Sequence, residues 1–108
     1  MEDRMARPGF VVLLAALLAS TPAVAQDVAL GRTLVSTYCA VCHSIERAGA
    51  SPHEAAPPFR TLQERYDVDM LSEALVEGLV SGHPDMPEFA FEPYEAASIV
   101  AYIKSLTE

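Results

Sequence analysis

The chain has 108 residues, room for one domain at most, and its 15 acidic side chains against 7 basic ones set a net charge of −8. That balance excludes nucleic acid as a natural partner, because gripping a phosphate backbone needs a cationic face. The only cysteines are Cys39 and Cys42, and a disulfide between them would close too small a loop to hold a fold together.

The first quarter differs from the rest. Residues 1–9 are weakly positive through Arg4, Arg7 and the amino terminus, and FVVLLAALLA, residues 10–19, is an unbroken apolar run. Its length is about half of the roughly 20 residues a membrane-crossing helix needs, but suits the central region of a secretory signal. In STPAVAQD, which follows, Ala23-Val24-Ala25 is a small-x-small cleavage site. The expectation is a secretory signal peptide over 1–25, cleaved after Ala25, and an exported domain over 26–108 that starts at Gln26; an uncleaved anchor is the alternative. Cleavage removes two charges of each sign and leaves −8, which fits an acidic periplasmic protein with no membrane insertion of its own.

The remainder shows no repeat and no sustained strand alternation, so it reads as all-α. A first helix is predicted from Asp27, a plausible N-cap, through DVALGRTLVSTYCAVCH, with Gly31, Leu34, Val35, Tyr38 and Cys42 on one side. SIERAGASPHEAAPPFR, rich in Ala, Pro, Ser and Gly, reads as a loop ending at Phe59, and TLQERY as a short helix. Asp67 or Asp69 is expected to cap a helix over MLSEALVEGL, where Leu71, Ala74, Leu75, Gly78 and Leu79 form an amphipathic face and Gly78 or Gly82 supplies the end. SGHPDMPEFAFEP holds three prolines and cannot be regular helix. A last helix opens with Pro93 in its first turn and runs through YEAASIVAYIKSLTE, with Ile99, Tyr102, Ile103 and Leu106 on one face. Three or four helices with long loops give a thin core for a domain of this size, unless the loops wrap a large apolar cofactor.

YCAVCHS, residues 38–44, points to that cofactor. A thioredoxin-like pair follows a strand, which this helical neighbourhood lacks. Zinc needs about four ligands, and His43, His53 and His83 form no second paired motif. A plain disulfide leaves His43 without a task. Covalent haem attachment uses all three residues: the thiols of Cys39 and Cys42 add to the two porphyrin vinyl groups, and His43 reaches the iron as proximal ligand. Haem also offers the helices a common apolar surface, so the protein without it should be largely unfolded.

With these motifs in place, residues 27–107 resemble a small bacterial monohaem class I c-type cytochrome. The resemblance rests on Gly31 eight residues before Cys39, on CAVCH, on Pro57-Pro58-Phe59, on Met86-Pro87 and on the final IVAYIKSL. It implies the class I fold, three to four helices wrapped around one covalent haem c, with the terminal helices crossing where Gly31 meets Tyr102. It also implies a proline carbonyl, from Pro57 or failing that Pro58, that accepts a hydrogen bond from the second ring nitrogen of His43.

The sixth iron position has four candidates. Met70 opens an amphipathic helix, where methionine is more often packing; His53 follows closely on His43, in a loop expected on the same side of the haem. Met86 stands in HPDMPEF, where a thioether has no helical face to join, and the resemblance puts the axial methionine there; His83 in the same loop is the rival. Phe89 and Phe91 are expected against the distal edge of the ring, or simply in the core. The reading is a carrier of single electrons between periplasmic or membrane redox proteins, a donor and an acceptor with basic docking faces, and not an enzyme. The alternatives are a tightly bound electron-transfer subunit of a periplasmic dehydrogenase and a gas-binding or peroxide-reactive haem protein.

Overall fold

The computed structural model describes residues 27–80 and 82–108. The signal sequence expected over 1–25 and the start at Gln26 lie outside them. Among the described residues there are three α-helices, α1 (Val28–Tyr38), α2 (Asp69–Glu77) and α3 (Pro93–Ser105), one 3₁₀ helix (Phe59–Glu64), and no strand. None of these helices is long and apolar enough to cross a membrane.

α1 starts where Asp27 turns its carboxylate back to accept the Leu30 N–H at 2.9 Å, meeting one of the donors a helix start leaves unpaired. It stops earlier than the sequence suggests. The N–H groups of Cys39 and Ala40 both donate to the Val35 carbonyl at 2.9 Å, so the ladder slips by one residue and Cys39 becomes the cap. A separate turn then forms, in which the Cys39 carbonyl accepts from Cys42 at 3.2 Å and His43 at 2.9 Å.

α2 begins without a side-chain cap at its N-cap residue, Val68; Asp67 helps from one position earlier, its Oδ1 accepting the Asp69 N–H at 3.0 Å. Gly78 ends the helix at φ +105°, a conformation that side chains rarely adopt. The short helix expected over 61–66 is the 3₁₀ helix, shifted two residues toward the amino end. α3 has Pro93 in its first turn, and Glu95 Oε1 accepts the Glu92 N–H at 3.0 Å. It ends at Ser105, where Arg47 donates to the carbonyls of Ser105 (2.7 Å), Leu106 (3.0 Å) and Glu108 (3.3 Å), taking the acceptors that a helix end leaves open.

α1 and α3 cross in direct backbone contact. Gly31 is buried, and a Cβ there would collide with the Ser98 carbonyl and stand 2.9 Å from Tyr102 Cβ. Only glycine lets the helices approach this closely. Ser98, 1% exposed, is satisfied inside the crossing: its hydroxyl donates to the Tyr94 carbonyl at 2.8 Å and accepts the Asp27 N–H at 3.2 Å. Val35, Ile99, Val100 and Ile103 fill the core around it, each buried side chain contributing about 1.5–3 kcal/mol. α2 joins α3 through Leu75 in the core and an exposed Lys104–Asp69 ion pair at 2.9 Å.

Candidate functional site

The CAVCH turn is held from three directions. Behind it is α1. The loop of residues 44–58 folds back on it: the His53 N–H donates to the Cys42 carbonyl at 3.0 Å, the Ser44 N–H to Ser51 Oγ at 3.0 Å, and the Phe59 N–H to the Ser44 carbonyl at 2.9 Å. From α3, the Tyr102 hydroxyl donates to the Ile45 carbonyl at 2.7 Å, and Arg32 of α1 donates to Tyr102 Oη at 2.9 Å while gripping both carboxylate oxygens of Glu46. The residues just after His43 are thereby tied to the helix crossing.

Cys39 and Cys42 are half-buried and are not joined to each other in a disulfide. Burial pushes the Cys39 thiol up to about 11, so it stays protonated at neutral pH. A dithiol redox site needs the opposite, a thiolate stabilised by its surroundings.

His43 is also half-buried, its ring 4.7 Å from that of Phe59 between centroids. Its Nδ1 lies 2.8 Å from the Pro57 carbonyl oxygen. A carbonyl only accepts, so Nδ1 carries the proton and donates, and the lone pair is assigned to Nε2. Pro58, the other proline that the sequence leaves open, spends its carbonyl on Thr61, accepting from the backbone N–H at 3.0 Å and from Oγ1 at 2.8 Å.

The candidates for the other side of a haem lie on α2 and in the segment after it. Leu71, Val76, Leu79 and Phe89 are only partly buried against the core. Met86 is half-buried beside Leu79, Val80 and His83 in an open hollow, and its N–H donates to the His83 carbonyl at 3.2 Å. Phe91 is a core residue; its ring meets Tyr38 edge-on at 5.6 Å and stacks on Phe89 at 5.6 Å, and its N–H donates to the Leu75 carbonyl at 2.8 Å. Met70 is 69% exposed in the first turn of α2, so it is not the core packing residue that its amphipathic setting suggests. The His53 ring also reaches the Met86 segment: its Nε2 lies 3.3 Å from Asp85 Oδ2, one residue before Met86.

These donors suit a haem. Two cysteines three positions apart that form no disulfide, a neighbouring imidazole whose Nδ1 is already engaged, and half-buried apolar side chains on α2 and Phe89 offer, respectively, attachment points, an iron ligand and a greasy wall. Sequence reasoning foresees the residues of the CAVCH turn but misses the polar ties of Arg32, Arg47 and His53. Their partners lie 14 to 70 positions away, and nothing local marks them.

A family model described as cytochrome c matches residues 28–107. The chain is 36% identical over 98 residues to cytochrome c-552 of Bradyrhizobium diazoefficiens, an alignment covering 91% of this chain and 92% of that protein. It is 31% identical over 106 residues to a cytochrome c-553-like protein of Synechocystis sp., covering 89% and 94%. The chain belongs to the cytochrome c family, as a small class I c-type cytochrome, an electron-carrying protein with a single covalently bound haem c.

Proposed function

We propose that the chain is an exported carrier that passes one electron at a time between larger redox proteins of the periplasm or membrane, with Cys39 and Cys42 holding the haem through thioethers and His43 and Met86 as its axial ligands. Haem held there supplies a one-electron iron couple. The observation that carries the reading is the His43–Pro57 hydrogen bond directly after two cysteines that form no disulfide: it sets the imidazole tautomer and leaves Nε2 for a metal.

Met86 contributes a soft, neutral thioether that favours the reduced iron, so its role is to raise the potential above that of a bis-histidine haem. With His43 and Met86 both holding the iron of a bound haem, no substrate would need to reach the metal. The ties of Arg32, Tyr102 and Arg47 keep the CAVCH turn from shifting when the charge changes. The net charge of −8 suits partners with basic faces, and it steers encounters mainly through the association rate.

The test is denaturing electrophoresis with haem detection. Only a covalent bond survives loss of the fold, so the exported protein should keep its haem, either single cysteine-to-alanine variant should retain at most one thioether, and Cys39→Ala/Cys42→Ala should lose the haem entirely. A double variant still carrying haem would end the proposal.

A further inference from the structure

His53, His83 and Asp85 come together on the surface from two loops about thirty residues apart. The two imidazole rings meet edge to face with centroids 5.3 Å apart, Asp85 Oδ2 lies 3.3 Å from His53 Nε2, and one ligand atom from each residue falls within 4.8 Å of the others. We propose that these three side chains bind one divalent transition-metal ion, of the zinc or copper class, which ties the Met86 segment to the loop that follows the CAVCH turn.

Two imidazoles and one carboxylate form a donor set for such ions, leaving a fourth position for water; calcium and magnesium prefer oxygen alone. Tetrahedral zinc, with bonds of about 2.0–2.1 Å, sets its ligand atoms roughly 3.4 Å apart. The His53–Asp85 pair is already at that spacing, and the remaining ligand has at most about 1.4 Å to close, within exposed loops.

Each ring now accepts a backbone N–H at Nδ1, His53 from Ala55 at 3.2 Å and His83 from Asp85 at 3.3 Å, both long for hydrogen bonds. Coordination through Nε2 moves each ring proton to Nδ1, and these two contacts and the His53–Asp85 bond are among those exchanged for three metal–ligand bonds. Anchorage on both sides makes the ion a clamp: the His53 N–H is fixed to the Cys42 carbonyl at 3.0 Å, and the Met86 N–H to the His83 carbonyl at 3.2 Å. A search for paired motifs along the chain does not find the group, because its halves meet only in the fold.

Zinc, which is redox-silent toward haem, is the probe. Calorimetric titration of the haem-loaded protein should give one zinc ion per chain. His53→Ala and Asp85→Ala should each weaken binding by more than the roughly 10–100-fold that loss of an outer-shell partner costs. Glu54→Gln, which removes an exposed acid beside His53, should change it less than twofold. Undiminished binding in His53→Ala, or an equal loss in Glu54→Gln, would overturn the site in favour of general attraction to an acidic surface. Zinc should also slow hydrogen exchange in residues 50–56 and 82–90 together, in the wild type but not in His53→Ala; exchange unchanged with zinc bound would overturn the clamp. Neither readout depends on Met86 being an iron ligand. A bis-histidine spectrum with His83 on the iron would overturn both this site and the axial assignment, whereas haem lost on denaturation would count only against covalent attachment.

Discussion

Gly31→Ala adds one methyl group at the tightest point of the fold. The new Cβ would collide with the Ser98 carbonyl oxygen, come 2.6 Å from its carbon and 2.9 Å from Tyr102 Cβ. Two of these three contacts are backbone, so no side-chain rotation relieves them, and the helices must separate. Overpacking a well-filled site costs about 1–3 kcal/mol, and an obstacle made of backbone belongs at the upper end. Against this, alanine is favoured over glycine inside a helix by about 1 kcal/mol. The net is a destabilisation of about 2 kcal/mol, equivalent to a fall of roughly 8–16 °C in Tm for a domain of this size. Separation also strains the Asp27–Ser98 and Arg32–Tyr102 hydrogen bonds that span the crossing. Thermal and guanidinium unfolding of the haem-loaded protein, followed by far-ultraviolet circular dichroism, measures the change. Ser36→Ala, at an exposed position on the same helix, controls for helix propensity and should be neutral or slightly stabilising. A Gly31→Ala protein as stable as the wild type would refute the close crossing.

Tyr102→Phe removes the hydroxyl that donates to the buried Ile45 carbonyl and should cost about 1–3 kcal/mol, because the carbonyl is left without that donor; denaturant unfolding with no change in midpoint would contradict it. Arg32, chiefly through its hydrogen bond, holds the Glu46 carboxyl below its usual range. That contribution to stability is therefore fully present above the ordinary glutamate value of about 4.3 and is lost as the pH falls through the lower folded-state value. The stability advantage of wild type over Glu46→Gln should shrink only in that acid window, and an advantage that grew on acidification would reverse the sign of the argument.

The elements that local chemistry decides were legible in the sequence. Asp27 caps α1, Gly78 ends α2 and Pro93 opens α3, since each acts on backbone groups within a few residues of itself. The crossing of Gly31 with Tyr102, which the family resemblance implies, is present as well, and a glycine inside a helix agrees with such a close approach. The early end of α1 was not legible, because apolar spacing continues through Cys42 while the slip at Ala40 lies in the backbone. Nor was the exposure of Met70, which depends on how α2 is turned against α3 rather than on the period of its own residues. Within the site, residue types pointed to Cys39, Cys42, His43 and Met86, but the choice between Pro57 and Pro58 needed the fold: Thr61 occupies one carbonyl and His43 the other. The meeting of His53 with Asp85 is a property of two loops packed together and has no trace in either segment alone.

The axial role proposed for Met86 decides whether the iron carries electrons or meets ligands, and the visible absorption spectrum of the oxidised protein tests it most directly. The wild type should show the weak long-wavelength band of sulfur-to-iron charge transfer. Met70→Leu should keep it, and Met86→Ala should lose it and admit carbon monoxide on reduction unless His83 takes the vacated position. A band erased in Met70→Leu and preserved in Met86→Ala would move the ligand to the wrong methionine for this account, and its absence from the wild type would contradict His/Met ligation altogether.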